Sequence, residues 1–369
     1  MIDLKAEFLE IEEEVMPVIT TVLKSGAYIQ GKVVQSFEAD LAKYLNIKHV
    51  ISCGNGTDAL QIALMAIDLQ AGDEVIIPAF SYIAVAEVVC LLGAIPVFAD
   101  VDATYFQLDA VSVKKAITNK TKAIIPVHLF GQTANFAQLL ALADEYKIKI
   151  IEDTAQALGG KYQINNQPKS LGSFGAFGCT SFFPTKNLSC FGDGGALFTN
   201  DDELAKKARM IANHGQKEKY NHHLVGVNSR LDSLQAGILQ VKLKKLDELL
   251  EKKSMLAERY LQQLKAVQQV ELPQTHPQSK NSWHQFTIKV KNELRNELKT
   301  HLKSKGVESM IYYPMPIIEQ IAYQQYKGNF PNAYKVSVEV LSLPIHRLLT
   351  IKDIDYICTL ITEFFDARS

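Results

Sequence analysis

Apolar and polar positions recur along this chain with two periods, and the change between them separates the elements. Residues 8–24 and 35–45 carry apolar side chains three or four positions apart, which predicts two helices. Short runs rich in β-branched residues follow and alternate with helical stretches. These runs are HVISC at 49–53, EVIIP at 74–78, IPVFAD at 95–100, KAIIPV at 122–127 and KIIED at 149–153. The alternation predicts a mostly parallel sheet with helices on both faces.

The pattern changes beyond Asp201, where helical periodicity dominates. The elements predicted there are a long amphipathic helical stretch at 232–268, a strand at 284–290, a helix at 293–305, a YYPMP turn at 312–316 and a last helix from about residue 352. Because 369 residues exceed the size at which one core stops growing, we expect two domains. The prediction is an α/β fold, with a large domain at 1–245 around a mainly parallel sheet and a smaller α+β domain at 246–369.

Composition indicates an ordinary globular protein. Hydrophobic residues make up 47%, charged residues 21%, and the formal net charge is -1, which favours neither nucleic acid nor an anionic membrane as a partner. The five cysteines show no CxxC pair, which argues against a disulfide framework and against a metal site. The N-terminus, MIDLKAEFLE, is acidic where an export signal is basic. We therefore expect a cytoplasmic protein with no membrane span.

Polar segments follow three of the predicted strands: GNGTDAL at 54–60, FSY at 80–82 and EDTAQ at 152–156. The carboxyl ends of strands line the ligand crevice in open α/β sheets, so these segments can meet. A fourth segment, GCTSFFPTKNLSCFGDGGALFT at 178–199, carries a lysine, Lys186, beside Phe182, Phe183 and Pro184. Desolvation there would lower the pKa of the amine and free it to form a Schiff base. The alternative is a surface lysine beside a glycine-rich hairpin.

Each of the other candidates also has two interpretations. GNGTDAL can cradle a phosphate through its amides and Thr57, or it can be a capped turn without the spacing of a Walker loop. Asp153 can hold a heterocyclic nitrogen protonated, with Gln156 donating to a ring oxygen, or it can be a helix cap or a structural ion pair. Tyr82 can stack on a flat cofactor or pack in the core. A lysine, a carboxylate, a phosphate cradle and an aromatic side chain together meet the requirements of pyridoxal 5'-phosphate.

Over nearly its whole length the chain resembles the DegT/DnrJ/EryC1/StrS family of sugar aminotransferases, which have the aspartate aminotransferase-like fold. The segments that carry the resemblance are GNGTDAL, PAFSYIA, VHLFGQ, IEDTAQALG, TSFFPTKNL, GDGGALFTND, NHGQ, GVNSRLDSLQA and YYPMP. The resemblance implies pyridoxal phosphate as cofactor and a homodimer with shared active sites. Lys186 places the chain with the transaminases, because relatives with histidine at that position act as dehydratases.

The resemblance also implies a role for each matching residue. Lys186 would be the catalytic residue and would form the internal aldimine. The cofactor contacts would be Asp153 to the pyridine nitrogen, Gln156 to the ring hydroxyl, Gly56, Thr57 and Ser181 to the phosphate, Tyr82 stacked on the ring, and Asn228 to the phosphate of the other subunit.

The implied reaction transfers an amino group from glutamate to a keto group on a nucleotide-linked sugar. The chain looks most like enzymes that aminate C3 of a UDP-linked 2-acetamido-3-keto-hexuronic acid for surface polysaccharide such as lipopolysaccharide O-antigen. Tyr312 departs from the histidine that relatives often have, and it and Tyr313 are either substrate contacts or turn packing. Arg230 is either a substrate contact or part of an interface ion pair. The alternatives are amination of a dTDP-linked keto-6-deoxysugar and a catalytically silent regulatory protein that binds the cofactor.

Overall fold

The structure is a computed structural model that describes residues 3–368, and it confirms the predicted α/β class. The α-helices are α1 Leu4–Ser25, α2 Lys32–Leu45, α3 Gly56–Ala66, α4 Ala84–Leu91, α5 Ala110–Ala116, α6 Phe136–Tyr146, α7 Asp202–Ala212, α8 Ser233–Leu243, α9 Leu246–Gln263, α10 Arg295–Ser304, α11 Pro331–Glu339 and α12 Ile351–Asp366. The strands are β1 His49–Cys53, β2 Glu74–Pro78, β3 Ile95–Ala99, β4 Thr121–Ile124, β5 Lys149–Asp153, β6 Lys161–Ile164, β7 Gln167–Ser170, β8 Phe177–Ser181, β9 Gly195–Thr199, β10 Gln216–Glu218, β11 Asn221–His222, β12 Val270–Glu271, β13 Ser279–Lys280, β14 Phe286–Val290 and β15 Val340–Leu343.

The main sheet has seven strands in the order β1-β9-β8-β5-β4-β2-β3. Only β9 runs antiparallel to its neighbours, so the other six strands end at the same edge. The central strands are buried on both faces, which is why they read as continuous apolar runs in the sequence. This arrangement brings the end of β5 directly beside the end of β8.

The five predicted strands of the first half are present, each within about three residues of its predicted bounds. The long amphipathic stretch at 232–268 is two helices, because α8 ends at Leu243 and α9 begins at Leu246. The helices bury different surfaces: α8 lies against α1 and α2, whereas α9 lies against α12. One continuous helical pattern in the sequence therefore corresponds to two helices that pack against different partners.

The last part of the chain has its own small sheet, in the order β12-β14-β15. Its core includes the stacked rings of Tyr260 and Phe286, whose centroids are 4.6 Å apart. Helix α9 buries Leu246 and Leu250 against the large sheet region and Leu256 in the C-terminal core. The domain division at 245/246 stays a prediction, and the helix that begins there contributes to both cores.

Two further features concern the described residues, 3–368. None of their helices is both long and apolar enough to cross a membrane. Their five cysteines are all free thiols, and no cluster of His, Cys, Asp and Glu side chains there is arranged to hold a metal ion.

Glu152 fixes the turn that leads into β8. Its fully buried carboxylate accepts hydrogen bonds from the amides of Gly172 (2.7 Å), Phe174 (2.7 Å) and Gly175 (2.8 Å). It also lies 2.9 Å from Nε2 of buried His128. One side chain thus satisfies several donors that have no water available to them.

We predict that Glu152→Ala lowers the free energy of unfolding by roughly 3 kcal/mol or more, because several buried donors lose their acceptor. The measurement is the denaturation midpoint of the variant and of wild type. Glu145→Ala is the control, since Glu145 is exposed and lies 4.0 Å from Lys114. Similar midpoints for the two variants would contradict this role of Glu152.

Candidate active site

The candidate site lies where β5 and β8 end side by side. Asp153 is the last residue of β5 and pairs with Cys179 of β8. Lys186 lies in the loop that joins β8 to β9. The first turn of α3, which follows β1, approaches the same edge, because Gly56 lies against Ser181 at the end of β8. Sheet order thus brings together segments far apart in sequence.

Lys186 is held in a tight turn, in which Phe183 is 49% exposed and so does not form the buried apolar wall expected from the sequence. Its amide donates to the carbonyl of Phe183 at 2.8 Å, and the neighbouring Phe182 is fully buried. Burial lowers the pKa of the Lys186 amine to about 8, and the carboxylate of Asp153 opposes this shift. About a tenth of the amine is therefore uncharged at pH 7, far more than for an ordinary lysine, and the uncharged form is the nucleophile.

Asp153 is a buried carboxyl group with few partners. It is 7% exposed, and its Oδ1 accepts one hydrogen bond, from the amide of Ala155 at 2.9 Å. Burial raises its pKa, while that amide, Lys186 and His128 act in the opposite direction. A carboxylate here would be stabilised by a cationic donor such as a protonated ring nitrogen.

Gln156 has a fixed orientation next to Asp153. Its Oε1 accepts from the amide of Phe130 at 2.8 Å, and its Nε2 donates to the hydroxyl of Tyr313 at 3.1 Å. An amide nitrogen carries two N–H groups, so the second remains to donate to a ring oxygen. The hydrogen bonds of Gln156 thus leave one N–H available for the predicted contact to the ring hydroxyl.

The cradle predicted at GNGTDAL has little room for larger side chains. Asn55 caps α3 by accepting from the amide of Asp58 at 2.8 Å, so the helix begins at Gly56. A Cβ atom on Gly56 would lie 2.7 Å from the Cβ of Ser181, closer than such atoms approach. The amides of Gly56 and Thr57 are at the positive end of the helix, where they can bind a phosphate together with the Ser181 hydroxyl.

Ser229 ties the GVNSR segment to the loop before α3. Its hydroxyl accepts from the amide of Gly54 at 2.8 Å and donates to Asp58 at 2.6 Å. On either side of it, Asn228 is exposed and Arg230 lines a separate cavity of 280 Å³. Neither contacts Lys186 or Asp153 within the described chain, so their predicted roles require a second subunit.

Two tyrosines border the open side of the site. Tyr82 is 56% exposed, and its ring centroid lies 6.1 Å from that of Tyr313. Both line a cavity of 450 Å³ with mainly apolar walls. Burial raises the pKa of Tyr313 and of Tyr312, whose hydroxyl also bonds to Gln285. The structure thus places Tyr313 in the same network as Gln156, while Tyr312 is partly buried against the core of the main sheet.

The sequence interpretation missed three residues around Lys186. His128 follows β4, and its amide donates to the Asp153 carbonyl at 3.0 Å. Its position in VHLFGQ, just after a predicted strand, could have identified it. His284 is buried, and burial holds its pKa well below the usual range; among residues 3–368 its Nδ1 has no hydrogen bond partner. Lys253 of α9 is buried and donates to Asn187 at 2.7 Å. No local pattern marks the last two.

The site has the groups that pyridoxal phosphate needs: an amine with a lowered pKa, a carboxylate with a single hydrogen bond, a free amide N–H and a helix that begins at a glycine. These features fit the cofactor and define a transaminase-type site. The sequence model of the DegT/DnrJ/EryC1/StrS aminotransferase family matches residues 9–362. The chain belongs to this family, and it is a pyridoxal phosphate-dependent sugar aminotransferase.

Individual relatives cover almost the entire chain. A "Pleiotropic regulatory protein" of Geobacillus stearothermophilus is 43% identical over 99% of this chain and 98% of its own. A "UDP-2-acetamido-2-deoxy-3-oxo-D-glucuronate aminotransferase" of Pseudomonas aeruginosa is 44% identical over 98% and 99%. A "dTDP-3-amino-3,4,6-trideoxy-alpha-D-glucose transaminase" of Streptomyces venezuelae is 41% identical over 93% and 90%. The crystal structure of S. venezuelae DesV "in complex with ketimine intermediate" has a TM-score of 0.94 and 39% identity, covering 98% of this chain and 97% of DesV.

We predict that capture of pyridoxal phosphate by the cofactor-free chain speeds up with pH and levels off above about pH 8, because only the uncharged Lys186 amine attacks. Stopped-flow absorbance over a pH series measures this rate, and Lys186→Ala is the blank. Asp153→Asn should move the midpoint to lower pH, since the carboxylate favours the ammonium form. A pH-independent rate would contradict the assignment.

Proposed function

We propose that this enzyme transfers the amino group of glutamate to C3 of a UDP-linked 2-acetamido-3-keto-hexuronic acid, for surface polysaccharide synthesis in the cytoplasm. The observation that carries the transaminase mechanism is the proximity of half-buried Lys186, in the loop after β8, to buried Asp153 at the end of β5. The substrate proposal is supported by the 44% identity to the Pseudomonas aeruginosa enzyme, which carries that substrate class in its name.

In the proposed mechanism each side chain has one task. Bound pyridoxal phosphate withdraws electrons from the carbon that carries the amino group. Asp153 keeps the ring nitrogen protonated, and burial from water strengthens that ion pair. Gln156 donates its second N–H to the ring hydroxyl. The Lys186 amine, once released, takes a proton from one carbon and returns it to the other as general base and acid.

Phosphate binding fixes the ring relative to these groups. The amides at the start of α3 and the Ser181 hydroxyl hold the phosphate, and the contact of Gly56 with Ser181 leaves no room for a side chain between them. Tyr82 would stack on the ring. Its exposure in the single subunit leaves one face available to a substrate or a partner subunit.

The proposed active form is a homodimer. Asn228 is exposed, while the adjacent Ser229 is buried and bonded to the loop before α3. The segment is therefore rigid, and it presents Asn228 outwards, as a contact to the phosphate of a second subunit requires. Arg230 has no ion-pair partner among residues 3–368.

Two other functions have specific support. The Streptomyces venezuelae relative supports a dTDP-linked keto-6-deoxysugar, and the mainly apolar cavity beside Tyr82 suits a methyl group better than a carboxylate. The Geobacillus stearothermophilus relative supports a regulatory role. A silent protein would also use the Lys186 amine to hold the cofactor, so turnover of a keto-sugar is what separates it from the enzyme.

The test is a panel of nucleotide-linked keto-sugars, each assayed with glutamate by mass spectrometry of the amino-sugar product. We expect the UDP-linked 3-keto-hexuronic acid to have the highest kcat/KM, with Lys186→Ala inactive on every sugar because it lacks the nucleophile and the base. Preference for a dTDP-linked 6-deoxysugar would reject the proposed substrate. No product from any sugar, although glutamate bleaches the cofactor band, would reject sugar amination.

Substitutions at Arg230 test whether the enzyme recognises an acidic sugar over a neutral one. If its guanidinium binds the sugar carboxylate, Arg230→Ala should weaken apparent binding of the uronic substrate by about 1.5 to 3 kcal/mol and of its neutral analogue much less. Arg230→Lys keeps the charge but loses the paired geometry, so it should be intermediate. KM is measured at matched dimer content. Equal losses on both sugars would reject carboxylate binding, and a dissociating dimer would assign Arg230 to the interface.

A further inference from the structure

Two buried lysines from neighbouring helices hold the loop that carries Lys186. Lys242 of α8 donates to the Ser189 hydroxyl at 2.8 Å, and Lys253 of α9 donates to Oδ1 of Asn187 at 2.7 Å. Asn187 directly follows Lys186 in the chain. Both lysines thus contact the loop within three residues of the reactive amine.

The two lysines differ in how their charge is compensated. The Lys242 amine lies 3.0 Å from the carboxylate of Glu7, which forms an ion pair with it. Lys253 is only 2% exposed, and no carboxylate between residues 3 and 368 lies within ion-pair distance of it. Burial lowers its pKa to about 7, and the more distant Glu7 opposes the shift. An uncompensated buried cation lowers stability, so its presence calls for a role other than stability.

Lys253 and a backbone carbonyl restrain Asn187 from two sides. Nδ2 of Asn187 donates to the carbonyl of Ser282 at 3.1 Å, in the connector before β14. Lys186 and Lys253 also line the same small cavity of 20 Å³. The side chain after Lys186 is therefore fixed between α9 and the connector, which sets the direction in which the Lys186 side chain leaves the loop.

We propose that Lys253 is a positioning residue for Lys186, acting through Asn187 to hold the reactive amine in register with Asp153. The proposal rests on the role of Lys186 in the proposed function. The charged and titratable groups that face Lys253 come from four other parts of the chain: Glu7 of α1, Lys186 of the loop, His284 of the connector, and His346 and Arg347 before α12. Misplacement of a reacting group by about 1 Å can reduce rates by up to 10²-fold, so a positioning residue has a measurable effect.

The test compares Lys253→Met, which loses the donor, with Lys252→Met on the same helix. Lys252 is partly exposed and faces a surface cavity beside Glu248. We expect Lys253→Met to lower kcat by about tenfold with KM within about twofold of wild type, because positioning affects the chemical step. The plateau rate of pyridoxal phosphate capture by the full-length chain at high pH should also fall, because a misplaced Lys186 amine attacks more slowly. Lys253→Arg, which keeps a charged donor, should recover most of both properties.

A double-mutant cycle with Asn187→Ala tests whether Lys253 acts through Asn187. If it does, the double variant should be no slower than the more impaired single variant. Additive losses would overturn the proposal. So would a Lys253→Met variant with a lower thermal midpoint but unchanged kcat and capture rate, or an equal effect of Lys252→Met. Capture is measured without any sugar, so a failed substrate panel leaves this test intact.

Discussion

The site depends on the exclusion of water from two groups of opposite charge, the Lys186 amine and the Asp153 carboxylate. Burial lowers the pKa of Lys186 to about 8 and raises that of Asp153, so each group is shifted towards its neutral form. Their mutual attraction opposes both shifts without an ion pair being formed between them. A site in this condition responds strongly to a bound cation or anion, because small changes in charge are poorly screened there. The sheet supplies this condition by ending β5 and β8 side by side in a region covered by helices.

Much of the fold could be predicted because its elements follow local rules. The strands at 49–53, 74–78 and 149–153 match their predicted bounds, since parallel strands buried on both faces form continuous apolar runs. The break between α8 and α9 could not be predicted in the same way. The helical spacing of apolar residues continues on both sides of Lys244 and Lys245, so it does not mark a break there. The break becomes visible only in the packing, where α8 lies against α1 and α9 lies against α12.

The candidate site shows the same division. Lys186, Asp153 and Gly56 lie at or after the ends of strands in the sequence. Because parallel strands end at the same edge of a sheet, the three residues could be predicted to lie close together. Lys253 and His284 come from the C-terminal half, where an ordinary helix and connector carry no chemical signal. Their relevance arises from tertiary contacts alone, through Asn187 and through their electrostatic effect on the same pocket. Residues that position a catalytic group from another part of the chain are therefore the hardest to find from sequence.

Helix α9 has one further consequence, for how this chain can change over evolution. Its first turns contribute Leu246 and Leu250 to the core that includes helix α2, its Tyr260 stacks on Phe286, and Lys253 between them reaches the active-site loop. A recombination event that joined the N-terminal part of one relative to the C-terminal part of another at residue 245 would mismatch the core that the first turns of α9 share with the N-terminal part, and would disturb the contact of Lys253 with the active-site loop. Segments exchanged between relatives would have to keep α9 together with the surfaces on both of its sides. A substitution at exposed Tyr82, by contrast, would leave both cores and the contact of Lys253 with the loop unchanged.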